Sequence, residues 1–321
     1  MIRFIMPECT LSISERINDL NNQFNSFMHS SVLDNYLNIL DIDNTDIEDI
    51  YNQLETYNTR KGKDGQIRES QLAPLNELLE DNRDKLFPLY EDFGLVSINK
   101  TRLDNYTHIA LLGGSANSNF DKTIAACRFI TDDVEDISAL SCYRPLPPTE
   151  TKNLTRERKG DYETEFGSFD TAFKRLFQIA EKEDEVRQYD FPRNMNYAQR
   201  IKTYTDNSGR QYRIFASPSS KSDERAGTYD TCVHYTNNLP YDKQVNVLII
   251  TNNQYCNYQF IPFVVALFRS NHKNVNFDIV GCSDDEHLIT ANKYNSNQFY
   301  GDIRSIIEWI IRFKKEFVLQ Y

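Results

Sequence analysis

Glycine is scarce in this chain, with eleven in 321 residues, alongside ten prolines and one tryptophan. With no repeat or low-complexity tract, that scarcity excludes collagenous and linker-type sequences. The six cysteines (Cys9, Cys127, Cys142, Cys232, Cys256 and Cys282) include no CxxC pair, which excludes a zinc ribbon and a thioredoxin-type motif. The five histidines form no HxH, HxxxH or HExxH spacing, which argues against a metal site built on histidine. There is no GxSxG elbow for a hydrolase nucleophile. Neither GxGxxG nor a GKS or GKT phosphate loop is present. No apolar run approaches the roughly 18–20 residues that span a bilayer. The amino-terminal stretch is too short and too soon acidic for a secretory signal. The expectation is a cytoplasmic protein without a membrane partner, its scattered cysteines buried as free thiols in a reducing compartment.

Basic charge is also in short supply. Lys and Arg number 36 against 47 Asp and Glu, a formal net charge of −11. A general nucleic-acid surface needs a basic face, so nucleic acid is not an expected partner. A local basic pocket for a small anion stays open. What the chain has is apolar content of 40% and aromatic content of 12%, enough to build a core. Its length fits one large domain or two ordinary ones. Its richness in Asn, Tyr, Ile and Lys points to an AT-rich bacterial genome.

Residues 1–105 read as a helical accessory domain. Leu33, Tyr36, Leu37 and Leu40 recur at helical spacing behind a Ser cap, and residues 46–57 repeat the pattern. Residues 60–66 read as an exposed polar loop, and 69–93 as one or two helices broken near Pro74 and Pro88. From residue 106 the pattern changes. Strands are expected at His108–Leu112, Ile137–Ser141, Tyr212–Ala216, Val245–Thr251 and Val275–Val280, and helices at 119–130, 164–183, 224–237, 257–270 and 301–317. This alternation over 106–321 predicts an α/β, Rossmann-like, mostly parallel sheet covered by helices, with a long insert near 145–163. In such sheets ligands bind beyond the carboxyl ends of the strands.

That rule selects the site candidates. After the first strand come Gly113, Gly114, Ser115, Asn117, Asn119 and Lys122. They fit a phosphate or carboxylate cradle at a helix start, and equally a tight capped turn. Arg144, after the second strand, offers a planar fork of donors to an anion, or else a structural bridge to Glu150. Glu163 and Glu165, with Asp170 further along, mark the next helix as dipole partners, general bases or magnesium ligands. Ser217, Ser219, Arg225, Thr228 and Asp230 form a second anion loop or a plain polar turn. Thr251, Asn252, Gln254 and Tyr255 suit hydrogen bonding and stacking of a base or sugar. Asp284 and Asp285 fit a ribose hydroxyl, a metal or solvent.

The order of these motifs over residues 106–286 resembles the YdcF/SanA/ElyC family of bacterial Rossmann-like proteins. The run ending in Gly113 and Gly114 matches that family's first strand and glycine loop. Ile137–Ser141 matches its second strand, Thr228–Thr231 stands where T-x-E-N is expected, and Val247–Thr251 matches its later strand. Cys142 and Tyr143 replace two glycines, Arg225 and Gly227 stand for Ser and Asn, and Tyr255 and Tyr258 stand for His and Arg. The resemblance implies binding of a nucleotide-like or adenosyl ligand, S-adenosylmethionine included, more than it implies a reaction.

Three functions follow as expectations. The first is a cytoplasmic protein that binds a small anionic, nucleotide-like or adenosyl ligand. Gly113, Gly114, Ser115, Asn117, Lys122, Arg144, Ser217, Ser219, Arg225 and Thr228 would hold the anion, and Thr251, Asn252, Gln254 and Tyr255 the neutral part. The second is a hydrolase or transferase acting on a phosphate-containing small molecule, with Glu150, Glu165 or Asp230 as base or magnesium ligand. The third is a regulator or scaffold that meets a protein partner through its N-terminal helices.

Overall fold

The computed structural model describes residues 1–56, 69–96, 101–152, 154–160, 162–179, 187–188, 195–221, 223–282 and 296–319. The loop expected at 60–66, and Asp284 and Asp285, lie outside them.

The strands are β1 (His108–Leu112), β2 (Asp136–Ser141), β3 (Arg187–Gln188), β4 (Arg200–Thr205), β5 (Gln211–Ala216), β6 (Val245–Thr251) and β7 (Val275–Gly281). They form one sheet of order β3-β4-β5-β2-β1-β6-β7. From β5 to β7 every pairing is parallel. The strand order therefore reverses beside β1, with β2 on one side and β6 on the other. The chain is thus an α/β protein with a mostly parallel sheet.

Apolar runs make these strands because both faces are covered. β1, β2 and β7 are buried along their whole length. On one face Ile109, Leu111, Ile137, Ala139, Ile214, Leu248 and Ile250 form a core with Ala125 and Ala126 of α6 (Ala116–Ala126) and Phe166, Phe169 and Phe173 of α8 (Glu165–Leu176). The alternate residues point to the opposite face. There Phe215 meets Tyr235 of α9 (Thr228–Thr236), and Phe277 meets Phe263 of α10 (Cys256–Arg269) at 4.8 Å.

One edge of the sheet is antiparallel, built on a strand not among those expected. Arg200–Thr205 pairs antiparallel with β5, from Arg200 opposite Ala216 to Thr205 opposite Gln211. The turn between them is set by Asp206, whose carboxylate accepts from the Ser208 and Arg210 amides at 2.9 and 3.1 Å. Gly209 takes the positive φ of 90° that the turn needs. The helix expected at 164–183 stops at Leu176, two residues before Gln178 enters the left-handed region with φ 51°. Between β2 and α8 lies α7 (Pro148–Lys152), inside the insert.

Two compact units divide the chain. One comprises 100–252 and 262–283 and holds the sheet. The other comprises 1–99, 253–261 and 284–321. Its helices are α1 (Ile13–Met28), α2 (Ser31–Ile39), α3 (Ile47–Glu55), α4 (Glu69–Asp81), α5 (Arg83–Asp92) and α11 (Ser296–Phe313). Ser12 and Glu15 close a capping box at the start of α1. The break in 69–93 falls at Asn82 and not at either proline, since α4 and α5 run through Pro74 and Pro88. The Asn82 amide turns back onto the Leu78 carbonyl at 3.0 Å. α11 starts five residues before the expected 301, and its buried stripe includes Phe299, Tyr300, Ile303, Ile306, Ile307 and Ile310. Arg304 pairs with Glu55 at 2.6 Å, and the Tyr300 hydroxyl donates to the Leu54 carbonyl. Among the described residues no helix is long and apolar enough to cross a membrane.

Candidate functional site at the carboxyl ends of the central strands

β1 ends in Gly113 and Gly114, and β2 ends beside them, because the Gly113 amide continues the ladder to the Leu140 carbonyl at 2.8 Å. The glycines are needed for the approach of the protein's own side chains. A Cβ on Gly113 would lie 1.9 Å from Glu165 Oε1 and 2.8 Å from the Leu140 carbonyl oxygen. A Cβ on Gly114 would lie 3.0 Å from Lys122 Nζ. The turn therefore seats a carboxylate and an ammonium side by side.

Lys122 projects from α6 back under this turn. It is 1% exposed, and Nζ donates to the Leu112 carbonyl at 2.6 Å and the Gly113 carbonyl at 3.4 Å. Burial pushes its pKa down to about 8, against the pull of nearby Cys282, Glu165 and Asp121. Glu165 is 6% exposed, and burial raises its pKa despite Arg144, Arg225 and Lys122, all of which favour the carboxylate. Desolvation outweighs three cations because the carboxylate has exchanged bulk water for a glycine backbone.

Arg144 is the hub. Nε donates to Glu165 Oε2 at 3.0 Å, Nη1 to Glu150 Oε1 at 2.8 Å, and Nη2 to Glu150 Oε2 at 3.2 Å and to the Gly114 carbonyl at 2.8 Å. Burial alone would lower the guanidinium pKa, but the two carboxylates raise it. Arg144 is thus the structural bridge of the two readings, and its partner Glu150 is 24% exposed and sits on the insert.

The insert is closed at its neck and fastened to α6. Pro145 bridges Thr164, the Leu146 amide bonds the Glu163 carbonyl, and the Glu165 amide bonds the Arg144 carbonyl. Arg158 reaches Asn117 through its carbonyl and Oδ1, and Asp121 at 2.7 Å. This anchor carried no signal beyond a run of charges in the sequence.

Ser115 caps α6, its hydroxyl accepting from the Ser118 amide. Ser118 in turn donates to Asn252 Oδ1 at 2.6 Å, so the ends of β1 and β6 are tied. The Cys282 amide bonds the Thr251 carbonyl at 2.7 Å. Asn119 is wholly buried and donates to Ser168.

After β5, Ser217 hydrogen-bonds His234 Nδ1 at 3.1 Å, and burial lowers the His234 pKa to about 4. The Ser219 hydroxyl accepts from the Lys221 amide, and its own amide reaches the Asn196 carbonyl. Asp230 accepts from the Ser220 and Gly227 amides, which makes it a cap for the helix that Thr228 begins. Arg225 is exposed and has no ion pair or hydrogen bond among the described residues, yet its charge reaches both buried Glu165 and buried Cys142.

The structure thus brings together Gly113, Gly114, Lys122, Arg144, Glu150 and Glu165, with Arg225 within electrostatic reach. Gln254 and Tyr255 fall in the other compact unit, where the Tyr255 hydroxyl bonds Gln298 and its ring meets Tyr258 edge-on. Asp170 is spent on Lys202, Lys174 and the Tyr204 hydroxyl. The carboxylates named as magnesium ligands do not form a donor set: Glu150 and Glu165 both face Arg144, and Asp230 accepts amides. No cluster of three or more His, Cys, Asp or Glu fit to hold a metal ion occurs among the described residues.

Comparison with known proteins gives no matching family model, no similar curated protein and no similar solved structure.

Proposed function

We propose that the chain is a cytoplasmic, Rossmann-like protein that binds a small anionic, nucleotide-like or adenosyl ligand at the carboxyl ends of β1, β2 and β5. The parallel strands run in the order third, second, first, fourth, fifth, and ligands of such sheets sit where that order reverses. The observation that carries the reading is Arg225, an exposed guanidinium without an ion pair among the described residues, beside a cluster that already holds Arg144 and Lys122. On a chain of net charge −11, Arg225 adds a third cation to a cluster in which Arg144 and Lys122 lie near Glu150, Glu165 and Asp121. Ligand entry exchanges one anion for another: a phosphate or carboxylate takes Arg225 and replaces the Glu150 carboxylate on Arg144. The resemblance of residues 106–286 to the YdcF/SanA/ElyC family supports an adenosyl or nucleotide character.

A second reading, a hydrolase or transferase acting on a phosphate ester, is favoured by the buried Lys122 and Glu165. Their pKa values are displaced towards each other, a disposition common among proton-transfer groups. In this reading Glu165 is the base.

A thermal-shift panel of nucleotides, S-adenosylmethionine and its products, with and without magnesium, tests the first reading. A ligand that binds only the folded chain raises its melting temperature by mass action. The expected result is a shift that falls away in Arg225→Ala. A shift of the same size in Arg225→Ala contradicts the assignment. Turnover of a phosphate ester that is lost in Glu165→Gln supports the second reading.

A further inference from the structure

A cleft lies against α6 and the end of α8. Its volume is about 610 Å³, within the range of small-molecule sites. Its floor is apolar, made by Phe120 and Ile124 of α6 and Leu176 at the end of α8. Ile124 is 46% exposed there, an apolar side chain on a helix whose other apolar positions are buried. The rim is made by Arg156, Arg158 and Arg175, with Glu157 the acidic residue among them.

The three arginines have different duties. Arg175 donates Nη1 to the Glu157 carbonyl at 2.5 Å and Nη2 to the Lys159 carbonyl at 2.6 Å, which holds the insert backbone as a wall. Arg158 is committed to Asn117 and Asp121. Arg156 is exposed and has no ion pair or hydrogen bond among the described residues. A fixed wall, an exposed Ile124 on the floor and one uncommitted guanidinium at the rim are complementary to a molecule that is apolar at one end and anionic at the other.

We propose that this cleft binds a small amphipathic anion, with its apolar body against Ile124 and Leu176 and its anionic group on Arg156. Guanidinium recognises such a group through paired, charge-assisted hydrogen bonds, while burial of the ring or acyl body on Ile124 supplies the apolar term. The site is independent of the strand-end reading, since it shares no ligand-contacting residue with it.

Titration of the full-length chain with 8-anilinonaphthalene-1-sulfonate, a fluorescent amphipathic anion, tests this. The expected result is saturable binding of one dye per chain, displaced by decanoate. Arg156→Ala weakens it about tenfold, the worth of one charge-assisted hydrogen bond. Ile124→Asp abolishes it. Both side chains are exposed, so circular dichroism of the variants matches the parent. Tyr241→Ser, a change at another exposed aromatic, leaves binding unchanged. Equal dye affinity in the parent, Arg156→Ala and Ile124→Asp overturns the proposal, as does an equal loss in Tyr241→Ser.

Discussion

Gly113 and Gly114 look alike in the sequence and differ in what they permit. At Gly113 an added methyl meets the Glu165 carboxylate and a backbone carbonyl, and the carbonyl has no room to move. At Gly114 the nearest atom is the end of a flexible lysine. Overpacking of this kind costs about 1–3 kcal/mol. Gly113→Ala is therefore expected to destabilise the chain by about 3 kcal/mol in urea unfolding, and Gly114→Ala by clearly less. The reverse ranking contradicts the close packing described for Glu165. Lys122 gives a second residue-scale expectation. Its pKa is about 8 in the folded chain against an ordinary 10.5. Above pH 8 the unfolded chain holds a proton that the folded chain has released, so stability rises with pH from about 8 to 10.5. Below pH 8 the full cost of the buried ammonium is present. Each pH unit across that interval is worth about 1.4 kcal/mol, about 3 kcal/mol in all. Stability measured against Lys122→Met over pH 7–11 isolates this step, because other titrating groups cancel in the difference. A flat difference contradicts the burial argument.

At the scale of elements, the insert is held at two points. Glu150 joins it to Arg144, and Arg158 joins it to α6. Glu150→Gln removes the charge and leaves Arg144 its bonds to Glu165 and Gly114. Loss of about 1 kcal/mol of local closure raises the open population about fivefold. Tryptic cleavage at Arg156 and Arg158 is expected to quicken by that factor, with little change in global stability. An unchanged rate contradicts the latch. The elements themselves were legible to different degrees. β1 and β6 match their expected ends, because a buried parallel strand is a continuous apolar run between polar turns. β4 was hidden, since Arg200–Thr205 mixes Lys, Arg and Thr with Ile and Tyr, and its stability comes from pairing with β5. The helix starts at 116 and 228 were displaced because capping by Ser115 or Asp230 is decided by a single turn of backbone. In the site, the strand-end rule found Gly113, Lys122, Arg144 and Glu165. It gave no hint that Glu165 presses on Gly113, or that Arg158 reaches Asn117, because those contacts join segments 40 or more residues apart.

For the molecule as a whole, charge and topology point to the same place. A strongly acidic chain gathers Lys122, Arg144 and Arg225 around the carboxyl ends of its central strands. The lowered lysine and raised carboxylate lie together there, and two carboxylates hold the Arg144 guanidinium. Hydrogen–deuterium exchange on the full chain tests this most directly, with the ligand that gives the largest thermal shift added at saturation. The account predicts slowed exchange confined to the loops after β1, β2 and β5, at residues 113–118, 142–150 and 217–228, and absent in Arg225→Ala. Protection that leaves these loops untouched, or that persists in Arg225→Ala, contradicts it.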